Sequence, residues 1–486
     1  MEKKIDPMGG FLLSYLRKKY GVRDETPLFR AAELLLLRLW QGSVCASIED
    51  LKREIPDFTE NHLTNSRAVA ANNNGVRPLI LNDGNLYIQR YFVYQTRILE
   101  KIGELLKNGK IHIITGGPGT GKTTSLAKIL EKRLNEKILL AAPTGKAALR
   151  MRESLSAQNI TSEAKTIHRL LGYIHQSVNF RRTKEYPLDA HIIAVDECSM
   201  IDLPMMSKLL DAVPNGCDLY LLGDRNQLAS VEAGSVFADI CRKFEREFHH
   251  DDNIYKELKI NYRAKSAPGI NTLSKQILEN SQDYPVTDLN NENVSHFESG
   301  ELESRLFGKY QNLFNAQNHT DALKFLKTFQ ILCATKTGPN GTKRINDKLR
   351  AQARKKNAAF TPIIITENNY QLNLFNGDVG VSDGKQAYFL SGNNEIKTFP
   401  ALTLPENEPA FAITIHKSQG SEYDSVAVVY PDHEMEMESE NRGAFLTKEL
   451  LYTAITRAKK ECFVFGGKET IINSCKREIF RASGIK

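Results

Sequence analysis

Short apolar runs alternate along most of the chain with longer segments in which apolar residues recur at helical spacing. The runs predict buried strands, and the longer segments predict amphipathic helices. Strands that alternate with helices build a sheet covered by helices, so the pattern predicts an α/β fold. The predicted strands lie at 110–115, 138–142, 192–195, 219–222 and 330–335, and the stretch 411–429 returns the chain to a sheet.

The first 75 or so residues predict a small helical unit without catalytic features. Segment 11–20 is amphipathic, and Thr26 is a suitable N-cap for an apolar helix, 27–40, that begins with proline. Segment 78–94 predicts a hairpin around an Asn-Asp-Gly-Asn turn. A helix from about 95 to 106 is expected to follow it.

Three later segments interrupt the strand and helix pattern. Residues 172–188 are polar and aromatic, which fits either a protruding hairpin or an ordinary surface loop. Residues 280–325 show no clear period, whereas 342–356 predicts a basic helix. Short alternating runs separated by glycine turns across 360–404 predict a small, barrel-like β insertion.

Composition narrows the class of protein. The 486 residues are 41% hydrophobic and 25% charged, which is typical of a globular protein large enough for about three domains. The sequence shows neither a membrane-span-length apolar run nor a signal-peptide core, so we expect a cytoplasmic protein. Seven scattered cysteines indicate reduced thiols rather than zinc or iron–sulfur ligands. The net charge of +7 permits a polyanionic partner without requiring one.

The strongest chemical signal is a glycine-rich loop between the predicted strand 110–115 and a helix from 122 to 134. Strand, loop and helix in this order form a phosphate site, because backbone N–H groups and the helix N-terminus face the anion. Lys122 can reach the β- and γ-phosphates, and the Thr123 hydroxyl can ligate Mg²⁺. The predicted nucleotide-binding residues are Gly116, Gly117, Pro118, Gly119, Thr120, Gly121, Lys122, Thr123 and Thr124. The chain is therefore predicted to bind a nucleoside triphosphate.

Two carboxylates follow a second buried strand. Asp196 and Glu197 come directly after 192–195, where one carboxylate can hold Mg²⁺ and the next can polarise the attacking water. We assign Asp196 to the metal and Glu197 to the water. Gln227 follows another strand and is a candidate sensor of the γ-phosphate.

Two arginines, Arg263 and Arg457, follow later core segments. Arginines from a second domain can stabilise the charge that spreads over a transferring phosphoryl group. The alternative is a structural role, since arginines near helix ends often cap carbonyl groups. Their order after the carboxylate pair favours the catalytic role.

Small polar clusters at strand ends are candidate contacts to a nucleic-acid backbone, because ligands of α/β sheets lie at that edge. They comprise Thr144 and Lys146, Thr166 and His168, and His416 and Ser418. Gln95 precedes Gly116 by 21 positions, about where motor ATPases place a glutamine that reads adenine. A solvent-facing position on a helix is the alternative for Gln95.

The ordered set of motifs resembles the helicase motifs of superfamily 1, most closely the RecD family, the alpha subunit of exonuclease V. The motifs are GGPGTGKTT, APTGKAA, TIHRLLG, VDECSM, GDRNQLASVEAG, NYR, TIHKSQGSEYDSV and LLYTAITRA. The resemblance implies two RecA-like P-loop domains with ATP and Mg²⁺ between them, and 5′-to-3′ movement along single-stranded DNA. It also implies RecB-like and RecC-like partner subunits in a heterotrimer that acts on duplex DNA, with any nuclease in a partner chain.

The same resemblance predicts the domain organisation. It implies a helical N-terminal docking domain at 1–88, a first motor domain at 89–262 and a second at 263–486. Within these, 172–188 would be a small pin-like hairpin, and about 357–407 would be an SH3-like β insertion that grips the strand.

Two other functions remain open. One is a standalone 5′-to-3′ helicase, although QLASV, with Ala229, looks like the exonuclease subunit rather than its standalone relatives. The other is a scaffold subunit whose ATP site only regulates assembly, which the intact Glu197 and the two arginines disfavour. Ala264 departs from the family pattern, in which an aromatic residue commonly follows the motif arginine.

Overall fold

A computed structural model describes residues 7–71, 75–174, 177–230, 232–262, 266–280, 285–369, 371–390, 395–433, 446–479 and 481–485, with side chains described from residue 9. Within these ranges the strands form four sheets, of which two are parallel and two mainly antiparallel. The predicted α/β class is confirmed by the two parallel sheets. No helix in these ranges is long and apolar enough to cross a membrane.

The N-terminal region combines helices with a small sheet. Thr26 caps the second helix as predicted, since its hydroxyl accepts a hydrogen bond from the N–H of Phe29 at 3.3 Å. The helices are α1 Pro7–Tyr20, α2 Pro27–Trp40, α3 Ile48–Glu54 and α4 Asn61–Thr64. The strands β1 Ala46–Ser47, β2 Val69–Ala71, β3 Leu79–Asn82 and β4 Asn85–Ile88 form a sheet in the order β1-β4-β3-β2. The small helical unit predicted for the first 75 or so residues thus contains four helices, and two short strands, β1 and β2, accompany them.

The predicted hairpin is correct for β3 and β4 but ends earlier than expected. Helix α5 spans Gln89–Lys107, so residues 89–94 are helical rather than extended. The aromatic residues there favour a strand locally, but Tyr91, Phe92 and Ile98 fall on the buried face of the helix. Packing against the helix at Leu203–Asp211 thus overrides the local preference.

The first parallel sheet positions the phosphate loop. Its strands are β5 Ile111–Gly116, β6 Ile138–Ala142, β7 Ala164–Thr166, β8 Ile192–Val195, β9 Asp218–Gly223 and β10 Tyr255–Leu258, in the order β10-β5-β9-β8-β6-β7. The helices of this part are α6 Lys122–Leu130, α7 Gly145–Ser156, α8 Ile167–Leu171, α9 Leu203–Asp211 and α10 Val236–Phe248. Because β5, β8 and β9 are parallel neighbours, the loops after them share one edge.

The second half contains another parallel sheet and an antiparallel one. The strands are β11 Val294–Phe297, β12 Phe329–Cys333, β13 Thr361–Ile365, β14 Val379–Ser382, β15 Gln386–Leu390, β16 Ile396–Pro400, β17 Asn407–Pro409, β18 Ala412–Thr414, β19 Tyr423–Val429 and β20 Ala458–Phe465. The parallel sheet has the order β11-β20-β19-β12-β18, and the antiparallel sheet has the order β16-β15-β14-β13-β17. The antiparallel sheet occupies the predicted β insertion; its SH3-like character stays a prediction.

Seven helices complete the described part of the second half. They are α11 Pro268–Glu279, α12 Leu302–Leu306, α13 Gln311–Phe314, α14 His319–Thr328, α15 Thr342–Lys355, α16 Lys448–Ile455 and α17 Lys468–Cys475. Two of them, α12 and α13, lie within 280–325, where the sequence shows no clear period, and α14 begins there.

One continuous apolar cluster joins the N-terminal region to the first parallel sheet. Leu35 and Ile80 belong to the same buried cluster as Ile113 and Phe237. The N-terminal region therefore packs on the first parallel sheet rather than forming a separate core of its own.

Candidate nucleotide and nucleic-acid site

The phosphate loop follows β5 directly and ends at the first residue of α6. Gly119 and Gly121 have φ angles of 79° and 83°, a region that residues with a Cβ rarely adopt. A Cβ on Gly116 would lie 2.7 Å from the Thr120 hydroxyl and 2.8 Å from the carbonyl oxygen of Leu258. The loop geometry therefore requires glycine at these three positions.

The loop is held by its own side chains. The Thr120 hydroxyl donates to the carbonyl oxygen of Gly117 at 2.8 Å. The Lys122 ammonium donates to the carbonyl oxygens of Gly116 and Gly117 at 2.6 and 3.2 Å. A cation at the N-terminus of a helix, among backbone N–H groups, is a suitable place for an anion.

Asp196 and Glu197 lie at the end of β8, whose residues are all buried. The Asp196 carboxylate accepts a hydrogen bond from the N–H of Glu197 at 2.8 Å. Burial and the neighbouring Glu197 raise the pKa of Asp196, against the opposing effects of Lys122 and of a hydrogen bond with Thr123. Glu197 has a φ of 55°, which is unusual for a residue with a Cβ.

A buried polar group follows β9. Asp224 is 1% exposed, and burial raises the pKa of its carboxyl group, while Lys122 opposes that rise. The Gln227 side chain donates from Nε2 to Asp224 at 3.2 Å. Its Oε1 is buried and has no hydrogen-bond partner within the described ranges.

Helix α16 and the segment before β19 bring residues from the second half of the chain to these loops. The hydroxyl of Tyr452 donates to Asp224 at 2.8 Å, and the hydroxyl of Thr453 accepts from the N–H of Leu228 at 2.9 Å. Gln419 also donates to the carbonyl oxygen of Leu228, at 2.6 Å. These bonds hold the two halves of the protein together across the cleft.

Arg457 lies just beyond α16, which ends at Ile455. Its guanidinium is buried and donates to the carbonyl oxygens of Thr453 at 3.0 Å and Ser421 at 3.2 Å. Its Nη2 is also buried but meets no acceptor among the residues that the structure describes. Two of the three guanidinium nitrogens thus bond to backbone carbonyls. Arg263 lies outside the described residues.

One large cleft, with a volume of about 1630 Å³, connects these groups. Its wall contains the phosphate loop from Pro118 onward together with Asp196, Glu197, Gln227 and Arg457. The structure therefore places five of the predicted nucleotide and catalytic groups around one space: the loop, both carboxylates, the glutamine and the distal arginine.

Family models and relatives agree with this arrangement. A model described as an AAA domain matches residues 100–233, and one described as a UvrD-like helicase C-terminal domain matches residues 409–465. The RecBCD enzyme subunit RecD of Mycobacterium tuberculosis is 32% identical over 429 residues, which cover 79% of this chain and 72% of that protein. The chain belongs to the RecD family. It is an ATP-dependent DNA helicase.

The RecD-family chain is also similar to a second curated protein and to a solved structure. The ATP-dependent RecD2 DNA helicase of Deinococcus radiodurans is 28% identical over 376 residues, which cover 74% of this chain and 47% of that protein. The crystal structure of a Bacteroides Pif1 helicase in complex with ADP-AlF3 and single-stranded DNA aligns with a TM-score of 0.42. That alignment has 17% identity and covers 75% of this chain and 91% of the other.

The predicted strand contacts of this RecD-family protein fall into two groups. Lys146 and Thr166 line the large cleft. Thr144 and Thr166 also serve as N-caps of α7 and α8, accepting from the N–H groups of Ala147 and Arg169 at 3.2 Å each. Burial, with Arg150 as a lesser cause, lowers the pKa of Lys146 to about 8.

The other candidates lie away from the cleft wall. His168 packs beside the aromatic rings of Tyr173 and Phe180, and burial lowers its pKa. Burial likewise lowers the pKa of His416. The Ser418 side chain is fully buried, and its hydroxyl donates to the carbonyl oxygen of Ile415 at 2.7 Å. A direct contact of the Ser418 hydroxyl with DNA is therefore not supported by this conformation.

The predicted pin is partly visible. Tyr173 and Phe180 form an antiparallel bridge, and the N–H of Arg181 donates to the carbonyl oxygen of Gly172 at 3.1 Å. These bonds favour the hairpin over an ordinary loop, although residues 175 and 176 lie outside the described ranges.

Gln95 is buried rather than solvent-facing, and it does not line the large cleft. Its Oε1 accepts a hydrogen bond from the N–H of Gly484 at 2.7 Å. It borders a smaller cavity of about 330 Å³ together with Tyr87 and Phe92. Contact with adenine would require the segment around Gly484 to move, because Gly484 is already hydrogen-bonded to the Gln95 amide.

Tyr262 is a functional candidate that the sequence analysis did not single out. Its N–H donates to the carbonyl oxygen of Gly119 at 3.1 Å, and its ring lies over Gly121. Its ring is 66% exposed at the cleft wall, so it offers a face on which a base can stack. The signal available in the sequence was the aromatic residue directly before Arg263.

Proposed function

We propose that this RecD-family chain is the 5′-to-3′ motor subunit of a RecBCD-type exonuclease V. It would move along single-stranded DNA, unwind duplex DNA in double-strand-break repair and recombination, and work in the cytoplasm beside RecB-like and RecC-like subunits. The observation that carries this proposal is the shared cleft: the phosphate loop and Asp196–Glu197 reach it from one parallel sheet, and Arg457 reaches it from the other.

The cleft residues can divide the work of ATP hydrolysis. Lys122 would bind the β- and γ-phosphates, and Glu197 would accept a proton from water as its oxygen attacks the γ-phosphorus. The bond from that phosphorus to the bridging oxygen breaks, and ADP leaves with the electron pair. Arg457 would balance the growing charge through its Nη2, and we assign the same role to Arg263. Gln227 would orient the water.

The residues near the loop also fit Mg²⁺. The hydroxyl of Thr123 and the carboxylate of Asp196 interact with each other at the mouth of the loop, and both are oxygen donors of the kind that Mg²⁺ prefers. Bound there, the ion would offset phosphate charge. Burial of Asp196 beside Glu197 raises its pKa, so this site would favour a cation over the bare carboxylate pair.

The proposed strand path begins at Lys146 and Thr166, which share the cleft wall. The DNA strand would reach the other candidates only if the residues around them moved, or would contact their backbone alone. These candidates are Thr144, His168, His416 and Ser418. The antiparallel insertion would close over the strand as an SH3-like barrel. Its Phe375 ring already lies against Gly145, where a Cβ would be 2.6 Å from the ring.

We further propose that ATP closes the two motor domains, 89–262 and 263–486, and that hydrolysis reopens them. Alternating grip on the strand would then move the protein. Residues 1–88 would dock on the RecC-like subunit. The hydrogen bonds of α16 to the loops after β9 support this coupling, because they join the halves directly at the nucleotide cleft.

The test is the ATPase rate of the purified chain with and without oligo-dT, followed by unwinding of duplexes with 5′ or 3′ tails. We expect strong stimulation by DNA and a preference for the 5′ tail. The same assays with co-purified partner subunits separate a motor that needs its complex from a regulatory subunit. An ATPase rate that does not change on addition of DNA, both for the chain alone and for the chain with its partners, would contradict the motor function.

A further inference from the structure

Tyr452 joins the two halves of the protein beside the phosphate loop through a bond between side chains. It lies on α16, is 4% exposed, and donates its hydroxyl hydrogen to Asp224 at 2.8 Å. Asp224 follows β9, between the strands that carry the phosphate loop and the Asp196–Glu197 pair. A helix residue of the second half of the protein thus holds a buried carboxylate that follows a strand of the first parallel sheet.

The same hydroxyl also contacts the phosphate loop. A Cβ built on Gly117 would lie 2.8 Å from the Tyr452 hydroxyl oxygen, and the next nearest atom, on Asp224, would be 4.0 Å away. Gly117 does not have a left-handed φ, so its backbone would accept alanine. What excludes a side chain at Gly117 is the tyrosine hydroxyl from the other half of the protein.

The link extends to Gln227 through hydrogen-bond chemistry. An ionised carboxylate can only accept hydrogen bonds, so the Gln227 amide must turn its NH₂ group toward Asp224. This leaves Oε1 as the buried atom without a partner in the described part of the chain. An acceptor fixed in this way can receive a hydrogen bond from the attacking water.

We propose that Tyr452 is a positioning residue that makes the orientation of Gln227 depend on closure of the two motor domains. When α16 docks, the Tyr452 hydroxyl fixes Asp224, and Asp224 fixes the Gln227 amide. When the domains separate, Asp224 loses this donor and keeps the bonds from Asn226 and Gln227 of its own loop. Water is then oriented for hydrolysis only in the closed state. The inference rests on the motor function proposed above.

Tyr452→Phe removes only the hydroxyl and is the first test. We expect the DNA-stimulated kcat to fall about tenfold or more, as for a lost hydrogen bond to a charged group. The KM for ATP should stay within about twofold, since the substituted group does not bind substrate. The matched control is Tyr310→Phe, which removes another buried hydroxyl that donates to a backbone carbonyl, that of Phe411.

Rescue provides a test that does not depend on turnover. Gly117→Ala should reduce the rise in melting temperature caused by the ATP analogue AMP-PNP with Mg²⁺, because the added methyl group meets the Tyr452 hydroxyl. The double variant Gly117→Ala/Tyr452→Phe has room for the methyl group and should recover at least half of that rise. No recovery would overturn the contact on which the proposal depends.

The outcomes also separate this inference from the motor function. If the wild-type chain, alone and with its partner subunits, shows no DNA-stimulated turnover, both proposals fail. If the wild type is stimulated and Tyr452→Phe matches it, only the positioning role fails. An equal loss in Tyr310→Phe, or a raised KM with unchanged kcat, would also overturn the positioning role.

Discussion

The ammonium group of Lys122 lies 2.6 Å from the carbonyl oxygen of Gly116 and donates a hydrogen bond to it. The carbonyl belongs to the last residue of β5, and the lysine is the first residue of α6. The lysine side chain therefore folds back over the loop that it follows. A phosphate group that binds here must replace the loop carbonyls as the acceptor, and its full charges make it the stronger partner.

Lys122→Gln tests this exchange. The variant keeps a donor but loses the charge, so we expect ATP hydrolysis to fall by about 10²- to 10³-fold with an unchanged circular-dichroism spectrum. ATPase and unwinding assays measure the effect. Lys132→Gln, at an exposed position beyond the same helix, is the control for loss of one positive charge. Normal turnover in Lys122→Gln would show that the nucleotide site is wrong.

Glu197→Gln should separate binding from chemistry. The amide cannot accept a proton from water, so hydrolysis should fall by about 10²- to 10⁴-fold, while ATP and single-stranded DNA still bind. Filter binding of labelled ATP together with DNA checks for a trapped complex. Glu131→Gln, which changes an exposed carboxylate near α6, should behave as wild type. Loss of ATP binding in Glu197→Gln would instead assign it to the nucleotide contact.

Arg457→Lys should reduce hydrolysis with little change in nucleotide affinity. Lysine keeps the charge but cannot form the planar fork that reaches two carbonyls and a ligand, and we expect kcat to fall about 10³-fold. Fluorescent-nucleotide titration and steady-state ATPase assays measure the two quantities. Arg246→Lys, on an exposed part of α10, is the control. An equal fall in affinity and rate would identify Arg457 as a structural cap.

DNA affinity should depend on pH through Lys146. Burial lowers the pKa of its ammonium group to about 8, and the group is charged below that pH and neutral above it. From pH 7 to pH 9 its charged fraction falls from about nine-tenths to about one-tenth. DNA binding should therefore weaken as pH rises, and the salt slope should lose about one ion.

Lys146→Arg is the matched variant for this pH effect. Arginine stays charged throughout the range, so titrations of labelled oligo-dT at several salt concentrations should lose the pH dependence. A wild-type affinity that does not change between pH 7 and pH 9 would exclude Lys146 from the strand path.

The sequence predicted the central strands well because each is a short apolar run ended by a turn. The expected bounds of β6 and β8 match the structure, and the groups that follow them meet at one sheet edge. That edge follows from parallel topology alone. The sequence therefore predicted which residues form the phosphate loop and the carboxylate pair, Asp196 and Glu197. It also predicted that both groups lie at this edge of the sheet.

Contacts between distant segments were not predictable. Residues 89–94 carry strand-favouring aromatics, and only packing on α9 makes them helical. Gln95 is hydrogen-bonded to Gly484, which lies 389 positions later in the sequence. Tyr452 is hydrogen-bonded to Asp224, which lies 228 positions earlier. Residue pairs so far apart in the sequence leave no periodic pattern in it. The hydrogen bonds between the two halves could therefore be found only in the structure.

The segment 481–485 has a consequence for how the protein is made. The N–H of Ala482 donates to the Ser43 hydroxyl, and the N–H of Val44 donates to the carbonyl oxygen of Ala482. Ser43 and Ala482 are 439 positions apart, a distance that a ribosome covers in about 20 to 90 seconds. During this time the backbone and side chain near Ser43 lack the hydrogen bonds that Ala482 later makes with them. During synthesis this edge of the N-terminal region is an exposed surface that chaperones have time to bind.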